Sequence, residues 1–195
     1  MHSSFQGIVL AGGKSSRFGE DKAQAMIQGT TLLEKALILL KQFRCNPIVV
    51  TNEMRDYRFL NCPVTRDIIP GKGPLGGLYT AMLDFKETSL LVLTCDMPAL
   101  TLDVLEVLTH VHEKERKATV YGLNDNQQLP FPGIYESALV ENIRKRLNEN
   151  RLSMRDFLDL IPEKKTIPAD CISDIFININ EKKDLENFIR VCDPS

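Results

Sequence analysis

The stretch GIVLAGGKSSRFGEDK, residues 7–22, joins a short apolar run directly to a loop rich in glycine, serine and positive charge. The apolar run has no polar alternation, which is typical of a strand that is buried on both faces. Such strands belong to parallel sheets covered by helices, and ligands bind beyond the carboxyl ends of their strands. The stretch therefore predicts a parallel sheet with residues 11–22 at its functional edge.

Short apolar runs alternate with helical patterns along the rest of the chain. Further strands are predicted at 47–51, 89–94, 118–121 and 175–179, with a weaker one at 63–65. Helices are predicted at 32–43, 76–85, 102–112, 138–147, 153–160 and 182–191, and Thr31 with Glu34 forms a capping box before the first of them. This order predicts an α/β fold, a three-layer sandwich around a mostly parallel, Rossmann-like sheet.

Length and composition indicate a single domain spanning residues 1–195. The formal net charge of −2 argues against a global basic field for nucleic acid. The five cysteines are odd in number and form no C-x-x-C pair, as in free thiols of a reducing compartment. The N-terminus does not resemble a signal peptide, and no apolar run reaches the roughly 18–20 residues of a membrane span. We expect a soluble, cytoplasmic protein with no nucleic-acid or membrane partner.

The glycine loop resembles a P-loop but lacks its first glycine. In the Walker A pattern G-x-x-x-x-G-K-[ST], Gly13 matches the second glycine, and the first would fall at Ile8 inside the predicted strand. A Rossmann G-x-G-x-x-G pattern also fails, because Gly12 and Gly13 are adjacent. The loop still suits a polyphosphate, since backbone N–H groups at glycines can approach an anion closely and Arg17 and Lys22 add positive charge.

Polar residues follow three other predicted strands. Asp96 follows the apolar run at 89–94 and is a candidate Mg²⁺ ligand, because Mg²⁺ takes one or two carboxylates together with phosphate oxygens. The alternative is that Asp96 caps the following turn. Asp67 precedes a loop rich in glycine and proline, and Thr51 and Asn52 end the second strand. These positions place candidate ligands at one edge of the sheet.

Two amides occupy alternating positions near the C-terminus. In the predicted strand at 175–179 and just after it, Asn178 and Asn180 would project from the same face. Inward-facing amides are costly unless they are hydrogen-bonded, which favours a binding role. For Asn180, the alternative is an N-cap of the helix that follows.

Taken together, these motifs resemble those of the molybdenum cofactor guanylyltransferase (MobA) family of nucleotidyltransferases. The resemblance lies in LAGGKSSRFGEDKA at 10–23, GPLGG at 73–77, CDMP at 95–98, LPF at 129–131 leading to Tyr135, and FININ at 176–180. The double glycine of the first motif is more similar to guanylyltransferases than to their cytidylyltransferase and sugar nucleotidyltransferase relatives, which more often carry an LAAG-type loop.

The resemblance implies roles for individual residues. It implies nucleotide or acceptor binding by Leu10, Ala11, Gly12, Gly13, Lys22, Asn52, Asp67, Asp96, Asn178 and Asn180. It implies catalytic roles for Arg17, Lys22 and Asp96, with Mg²⁺ as the metal held by Asp96. The family's asparagine after the second strand maps ambiguously onto Thr51 or Asn52.

The implied reaction is transfer of GMP from GTP to molybdopterin or molybdenum-molybdopterin, with release of pyrophosphate. Proteins that deliver the cofactor or accept the product are further expected partners. His2, His110 and His112 do not lie at predicted strand ends, so the residues show no nucleophile paired with a base. Two alternatives stay open, namely transfer of CMP or to another phosphorylated acceptor, and a nucleotide-binding module without turnover.

Overall fold

A seven-stranded sheet forms the centre of the protein in the computed structural model, which describes residues 5–12, 18, 21–52, 57, 60–113, 115–124 and 127–192. Its strands are β1 (Gln6–Leu10), β4 (Ile48–Thr51), β5 (Val64–Arg66), β6 (Ser89–Thr94), β7 (Ala118–Leu123), β8 (Gln127–Glu136) and β9 (Lys164–Pro168). A separate short hairpin pairs β2 (Met26–Ile27) with β3 (Thr30–Thr31).

The sheet is mostly parallel, as the sequence predicts. The strand order is β5-β4-β1-β6-β8-β7-β9, and within this sheet β8 alone runs against its neighbours. Leu10 of β1 is in register with Val50 of β4 and with Thr94 of β6. The carboxyl ends of these three strands are therefore level, and the residues that follow them share one edge.

Six α-helices accompany the strands in the described part of the chain. They are α1 (Leu32–Gln42), α2 (Gly73–Asp84), α3 (Leu102–Val111), α4 (Val140–Asn148), α5 (Met154–Asp159) and α6 (Lys182–Cys192). The predicted capping box of α1 is confirmed, because Thr31 Oγ1 accepts the Glu34 N–H at 3.1 Å and the Glu34 carboxylate accepts the Thr31 N–H at 2.8 Å. None of the described helices is long and apolar enough to cross a membrane.

Two hydrophobic cores cover the two faces of the sheet. On β1, Val9 points into a core with α1 and α3, whereas Ile8 and Leu10 point into a core with α2, α4 and α5. Alternate residues of one strand thus serve opposite faces, and this explains why the strand sequence is apolar without a gap. The arrangement confirms the predicted three-layer sandwich.

The predicted strand at 175–179 is wrong. Residues Asp170–Phe176 form a 3₁₀ helix, and Ile177 to Asn180 follow in a segment without regular secondary structure. The place beside β7 is taken by β9, so the apolar run at 175–179 has no strand to pair with. Of its buried residues, Phe176 packs against Tyr121 of β7, and Ile179 packs in a cluster with Phe18, Ile27 and Leu32.

The sequence does not predict β8, β9 or the hairpin of β2 and β3. Pro130, Pro132 and Gly133 argue against a strand at β8, because proline lacks a backbone donor and glycine weakens a strand. The structure accommodates them at an irregularity in the β7–β8 register, where Val120 pairs with Gly133 and Tyr121 pairs with Leu129. Residues 130–132 bulge out of the ladder between these pairs.

Candidate active site

The ends of β1 and β4 meet at Gly12 and Asn52. The Ala11 N–H donates to the Val50 carbonyl at 2.9 Å, which continues the parallel ladder one residue past β1. A Cβ atom placed on Gly12 would lie 3.1 Å from Asn52 Nδ2 and 3.2 Å from the Asn52 backbone nitrogen. Glycine is therefore the residue that best fits this close approach of the loop to β4.

The structure separates the two candidates at the end of β4. Thr51 is 2% exposed, whereas Asn52 is half-buried at the surface beside Gly12. Leu10 and Ala11 are also buried, so their side chains belong to the core beneath the site. Asn52 is the side chain of the two that a ligand in the glycine loop could reach.

Lys22 and Asp96 form an ion pair at the adjoining end of β6. Lys22 Nζ lies 2.9 Å from Asp96 Oδ2, although the two residues are 74 positions apart in the chain. The side chains are 20% and 19% exposed. The Thr94 hydroxyl donates to the other carboxylate oxygen, Asp96 Oδ1. The structure thus brings together a predicted phosphate-binding lysine and a predicted metal-binding carboxylate.

A short capped turn holds the backbone of Lys22. Residues Lys22–Gln24 form a 3₁₀ helix whose N-cap is Asp21. Asp21 Oδ1 accepts the Ala23 N–H at 3.1 Å, and its Oδ2 accepts from Gln24 Nε2 at 3.1 Å. Ala23 is buried, so the turn is fixed both by its cap and by packing.

Cys95 lies between the end of β6 and Asp96 but is not suited to act as a nucleophile. Its side chain is buried, and burial together with the negative charge of Asp96 raises the pKa of the thiol to about 12. The thiolate is the reactive form, so a thiol with this pKa is unreactive near neutral pH. Cys95 therefore acts as a packing residue.

Asp67 links the end of β5 to α2. It is 4% exposed, and its Oδ1 accepts the Ile69 N–H at 2.9 Å and the Thr80 hydroxyl at 3.0 Å. Burial raises the pKa of Asp67 above its usual value, although these two hydrogen bonds oppose the shift. Its own N–H donates to the Thr51 carbonyl at 2.8 Å, which places Asp67 at the same edge of the sheet as Asn52.

Asn178 and Asn180 lie beside Asp96, although they are not on a strand. The Ile179 N–H between them donates to the Asp96 carbonyl at 2.8 Å. Ile179 is fully buried and both asparagines are exposed. The predictions of a strand and of inward-facing asparagines were therefore wrong, because both amides are exposed and Ile179 between them is the buried side chain.

The side chain of Asp184, in the first turn of α6, caps the N-terminal end of this helix. Its Oδ2 accepts the backbone N–H groups of Asn180 at 2.9 Å and Glu181 at 2.8 Å. These two hydrogen bonds lower the pKa of Asp184, and the positive charge of Lys22 contributes a smaller effect in the same direction.

Comparison with known proteins decides the family. The family model of the MobA-like NTP transferase domain matches residues 7–166. The chain belongs to this family. A curated relative from Bacillus cereus (strain ATCC 10987 / NRS 248), named probable molybdenum cofactor guanylyltransferase, is 33% identical over 93% of this chain and 94% of its own length.

Solved structures show the same fold at lower identity. Molybdopterin-guanine dinucleotide biosynthesis protein A from Archaeoglobus fulgidus has a TM-score of 0.80 at 21% identity, covering 96% of this chain and 98% of its own. CMP:2-keto-3-deoxy-manno-octonic acid synthetase, complexed with CTP, has a TM-score of 0.75 at 12% identity, covering 97% and 98%. The fold is therefore that of the nucleotide-diphospho-sugar transferases.

In this MobA-like domain, the predicted metal ligand Asp96 does not belong to a larger group of metal-binding side chains among the described residues. No group of three or more histidine, cysteine, aspartate or glutamate side chains forms a metal cluster within the described part of the chain. Asp96 is the residue that the sequence predicts to hold Mg²⁺, an ion that takes one or two carboxylates together with the phosphate oxygens of a nucleotide. Gly13 and Arg17, predicted to bind phosphate, lie outside the residues that the structure describes.

The described histidines take no part in this site. His110 is exposed on α3, and His112 contacts Thr119 Oγ1 at 2.8 Å and Glu136 Oε1 at 2.9 Å. Glu136 is opposite Ser89, the first residue of β6, so this network lies at the end of the strand remote from Asp96. His2 lies outside the described residues.

Sequence reasoning missed three residues that shape the site. Thr94 binds the Asp96 carboxylate, Ile179 binds the Asp96 backbone, and Asp184 caps the segment that carries both asparagines. The sequence gives only a weak signal for two of these residues. Thr94 is a polar residue at the end of an apolar strand, and Ile179 is an apolar residue between two asparagines. The family match ends at residue 166, so the last two lie beyond it.

Proposed function

We propose that this protein transfers GMP from GTP to molybdopterin or molybdenum-molybdopterin and releases pyrophosphate. The observation that carries the proposal is the Lys22–Asp96 ion pair at the carboxyl edge of the sheet, beside the glycine loop of a MobA-like NTP transferase domain. The name of the Bacillus cereus relative supports guanylyl transfer and the molybdenum cofactor as acceptor.

The chemistry is displacement at phosphorus. A terminal phosphate oxygen of the acceptor forms a bond to the α-phosphorus of GTP, and the bond from that phosphorus to the oxygen bridging to the β-phosphate breaks. The electron pair of the broken bond leaves with pyrophosphate. Such a reaction depends on positioning and on neutralisation of negative charge, so it requires no protein nucleophile.

Lys22 and Asp96 bind groups of opposite charge, since Lys22 binds phosphates and Asp96 binds the metal ion. Lys22 Nζ, with Arg17, holds the negative phosphates and stabilises pyrophosphate as it leaves. Asp96 holds Mg²⁺, which supplies positive charge to the phosphate oxygens when bound. Because Lys22 and Asp96 are paired with each other in the free protein, binding of the substrate exchanges that ion pair for two new ones.

The strand order divides the site into two halves. Asn52 and Asp67 follow β4 and β5 on one side of β1, whereas Asp96 follows β6 on the other side. We assign the guanosine to the first half, with the backbone of Leu10 to Gly13 at its phosphates. We assign the acceptor to the second half, where the exposed Asn178 and Asn180 lie beside Asp96.

The remaining expectations concern the whole chain. We propose that residues 1–195 form one nucleotidyltransferase domain that acts in the cytoplasm, with proteins that deliver or accept the cofactor as transient partners. Cys45 and Cys95 are buried free thiols, which fit a reducing compartment. The net charge of −2 gives no support for a nucleic-acid partner.

The decisive experiment supplies the purified protein with GTP, Mg²⁺ and molybdopterin, with and without molybdate, and analyses the products by mass. Formation of the guanine dinucleotide with stoichiometric pyrophosphate supports the proposal. A parallel reaction with CTP tests the other nucleotide, and a larger yield of the cytosine dinucleotide would replace guanylyl with cytidylyl transfer. Tight GTP binding with no product would favour the nucleotide-binding module.

Asp96→Asn tests the site within the same assay. Because the amide is nearly the same size but lacks the negative charge that a metal requires, we expect turnover to fall by about 100-fold or more. Asp103→Asn is the matched control, since Asp103 is exposed in the first turn of α3 and not at the site. Equal activity of the two variants would remove Asp96 from the mechanism.

A further inference from the structure

A small hydrophobic cluster lies beside the candidate active site, separate from the two cores that cover the sheet. Its buried members are Phe18, Ile27, Leu32 and Ile179, and we call them the site cluster. Ile179 is 0% exposed. Half-buried residues of α6 pack against the cluster, namely Leu185, Phe188 and Ile189.

The site cluster joins the segments that surround Lys22 in the chain. Phe18 precedes Lys22 by four residues within the glycine loop, Ile27 lies in β2, and Leu32 begins α1. The Leu32 N–H also donates to the Ala25 carbonyl at 2.9 Å, which closes the chain around the hairpin. Packing in this cluster therefore fixes the backbone from which the Lys22 side chain extends.

Ile179 connects the same cluster to Asp96. Its side chain is buried in the cluster, while its backbone N–H donates to the Asp96 carbonyl at 2.8 Å. The two hydrogen bonds from Asn180 and Glu181 to the Asp184 carboxylate set the course of the chain from Ile179 into α6. Ile179 thus binds the Asp96 backbone directly and shares a cluster with residues that precede and follow Lys22 in the chain.

We propose that Ile179 is a positioning residue that holds Asp96 at the correct distance from Lys22 and from a bound nucleotide, and that the C-terminal segment completes the active site in this way. The inference rests on the proposed function for the roles of Lys22 and Asp96. Ile179 touches neither substrate nor metal in this account and acts through the end of β6.

Ile179 acts on the geometry of Asp96 more than on the stability of the fold. A misplacement of about 1 Å at a catalytic group lowers a rate by about 100-fold. Residues that orient a metal ligand typically change metal affinity by about 10–100-fold when they are replaced. A cavity at residue 179 would free the Asp96 backbone to shift, because the neighbouring side chains relax only partly into the space.

The test compares Ile179→Ala with Ile143→Ala and Ile179→Val. Ile143 is also 0% exposed, but it lies on α4 in the core between the sheet and α2, so its truncation removes the same atoms away from the site. Mn²⁺ binding to the protein saturated with GTP is measured by electron paramagnetic resonance. The kcat and KM for GTP and the thermal midpoint are measured on the same samples, at a temperature where all variants are folded.

For Ile179→Ala we expect Mn²⁺ affinity and kcat each to fall by about tenfold or more, with a smaller change in KM for GTP. Ile143→Ala should lower the thermal midpoint to a similar degree and leave Mn²⁺ affinity and kcat near those of the wild type. Ile179→Val retains most of the side chain and should give values between those of the wild type and those of Ile179→Ala. If Ile179→Ala does not fold, a graded loss of Mn²⁺ affinity in Ile179→Val relative to Ile143→Val supports the proposal.

The proposal is overturned if the variants at 179 and 143 show the same Mn²⁺ affinity and the same kcat relative to their stability. A wild-type protein that binds GTP and Mn²⁺ but makes no dinucleotide would instead contradict the proposed function. The comparison of Mn²⁺ affinities would still decide the role of Ile179 in that case, so the two failures are distinguishable.

Discussion

At the scale of single residues, the ion pair between Lys22 and Asp96 determines how the site can bind its ligands. One Asp96 oxygen accepts from Lys22 and the other from Thr94. A divalent ion that approaches Asp96 must therefore compete with an ammonium group 2.9 Å away. If nucleotide phosphates draw Lys22 from Asp96, metal and nucleotide binding promote each other, and this coupling is reciprocal.

Lys22→Met should remove the coupling between metal binding and nucleotide binding. The substitution keeps a flexible side chain of similar length but removes the charge that occupies Asp96, so the free protein should bind Mn²⁺ at least about tenfold more tightly and GTP more weakly. Titration of Mn²⁺ without nucleotide, followed by electron paramagnetic resonance, measures the first effect. Lys86→Met, at an exposed position after α2, is the control and should resemble the wild type. Unchanged Mn²⁺ affinity in Lys22→Met would show that the ion pair does not limit metal binding.

Asp67→Asn should affect the stability of the fold and the affinity for GTP in different ways. Burial raises the pKa of Asp67 from its usual 3.8, so the folded state is disfavoured once pH rises through the folded-state pKa and the carboxyl loses its proton. Asparagine keeps an oxygen for the Ile69 N–H and the Thr80 hydroxyl without that cost. We expect the variant to be as stable as the wild type or more so at pH 7, with a smaller advantage near pH 4, and to bind GTP more weakly if Asp67 contacts the base.

Urea unfolding at the two pH values and GTP titration measure these effects. Asp67→Ala is the matched comparison, because it leaves the half-buried Ile69 N–H and the buried Thr80 hydroxyl without this acceptor and should cost about 1–3 kcal/mol of stability. Loss of stability in Asp67→Asn equal to that of Asp67→Ala would mean that the charge itself stabilises the fold.

At the scale of elements, α1 connects helix capping to the site. Its capping box consists of the N-cap Thr31 and of Glu34 in the first turn. Leu32, the first residue of the helix, lies between them and belongs to the site cluster. The pKa of Glu34 is lowered by its hydrogen bonds from the Thr31 backbone and side chain. The start of α1 is thus fixed by local interactions that the sequence alone predicts.

Thr31→Ala should cost about 0.5–2 kcal/mol in the free energy of unfolding, because the Glu34 N–H loses its acceptor. Thr109→Ala is the control. The Thr109 hydroxyl bonds back to the Leu105 carbonyl within α3, so alanine there should be neutral or slightly stabilising. Chemical denaturation of both variants measures the difference, and equal effects would show that the capping box does not contribute.

Prediction from sequence succeeded where an element depends on its own residues. The strands β1, β4 and β6 each have an uninterrupted apolar centre, and their positions were predicted to within one residue. Prediction failed at β8, because its two prolines are unfavourable in a strand. The strand forms nevertheless, since it pairs with β6 on one side and with β7 on the other. Prediction also failed at 175–179, because a strand needs a partner and the position beside β7 belongs to β9.

At the scale of the whole molecule, the end of the sheet remote from the active site carries a pH-sensitive network. Burial opposes the charge of Glu136, but hydrogen bonds from His112 and Ser89 outweigh it and lower the pKa of Glu136 below its usual 4.5. A depressed carboxyl pKa contributes stability that is present above the unfolded-state value and is lost as pH falls through the folded-state value.

Glu136→Gln should therefore flatten the acid limb of the stability curve. The wild type should lose stability from about pH 5 downward more steeply than the variant, as measured by urea unfolding across about pH 6 to 3. Glu141→Gln, at an exposed position on α4, is the control and should follow the wild type. Because the network is distant from Asp96, kcat should not change in Glu136→Gln at neutral pH. A large loss of kcat would contradict the view that this end of the sheet does not influence the site at the other end.

The sequence by itself determined the α/β class, the glycine loop after the first strand, and the residue types available for phosphate and metal, because these follow from local periodicity and from short motifs. The tertiary structure alone decided which of those residues meet. The pairing of Lys22 with Asp96, the choice of Asn52 over Thr51 as the accessible side chain, and the link from Ile179 to Asp96 all join segments that are distant in the chain or depend on burial. They depend on which strands become neighbours in the sheet and on where the C-terminal segment packs, and no local pattern encodes either.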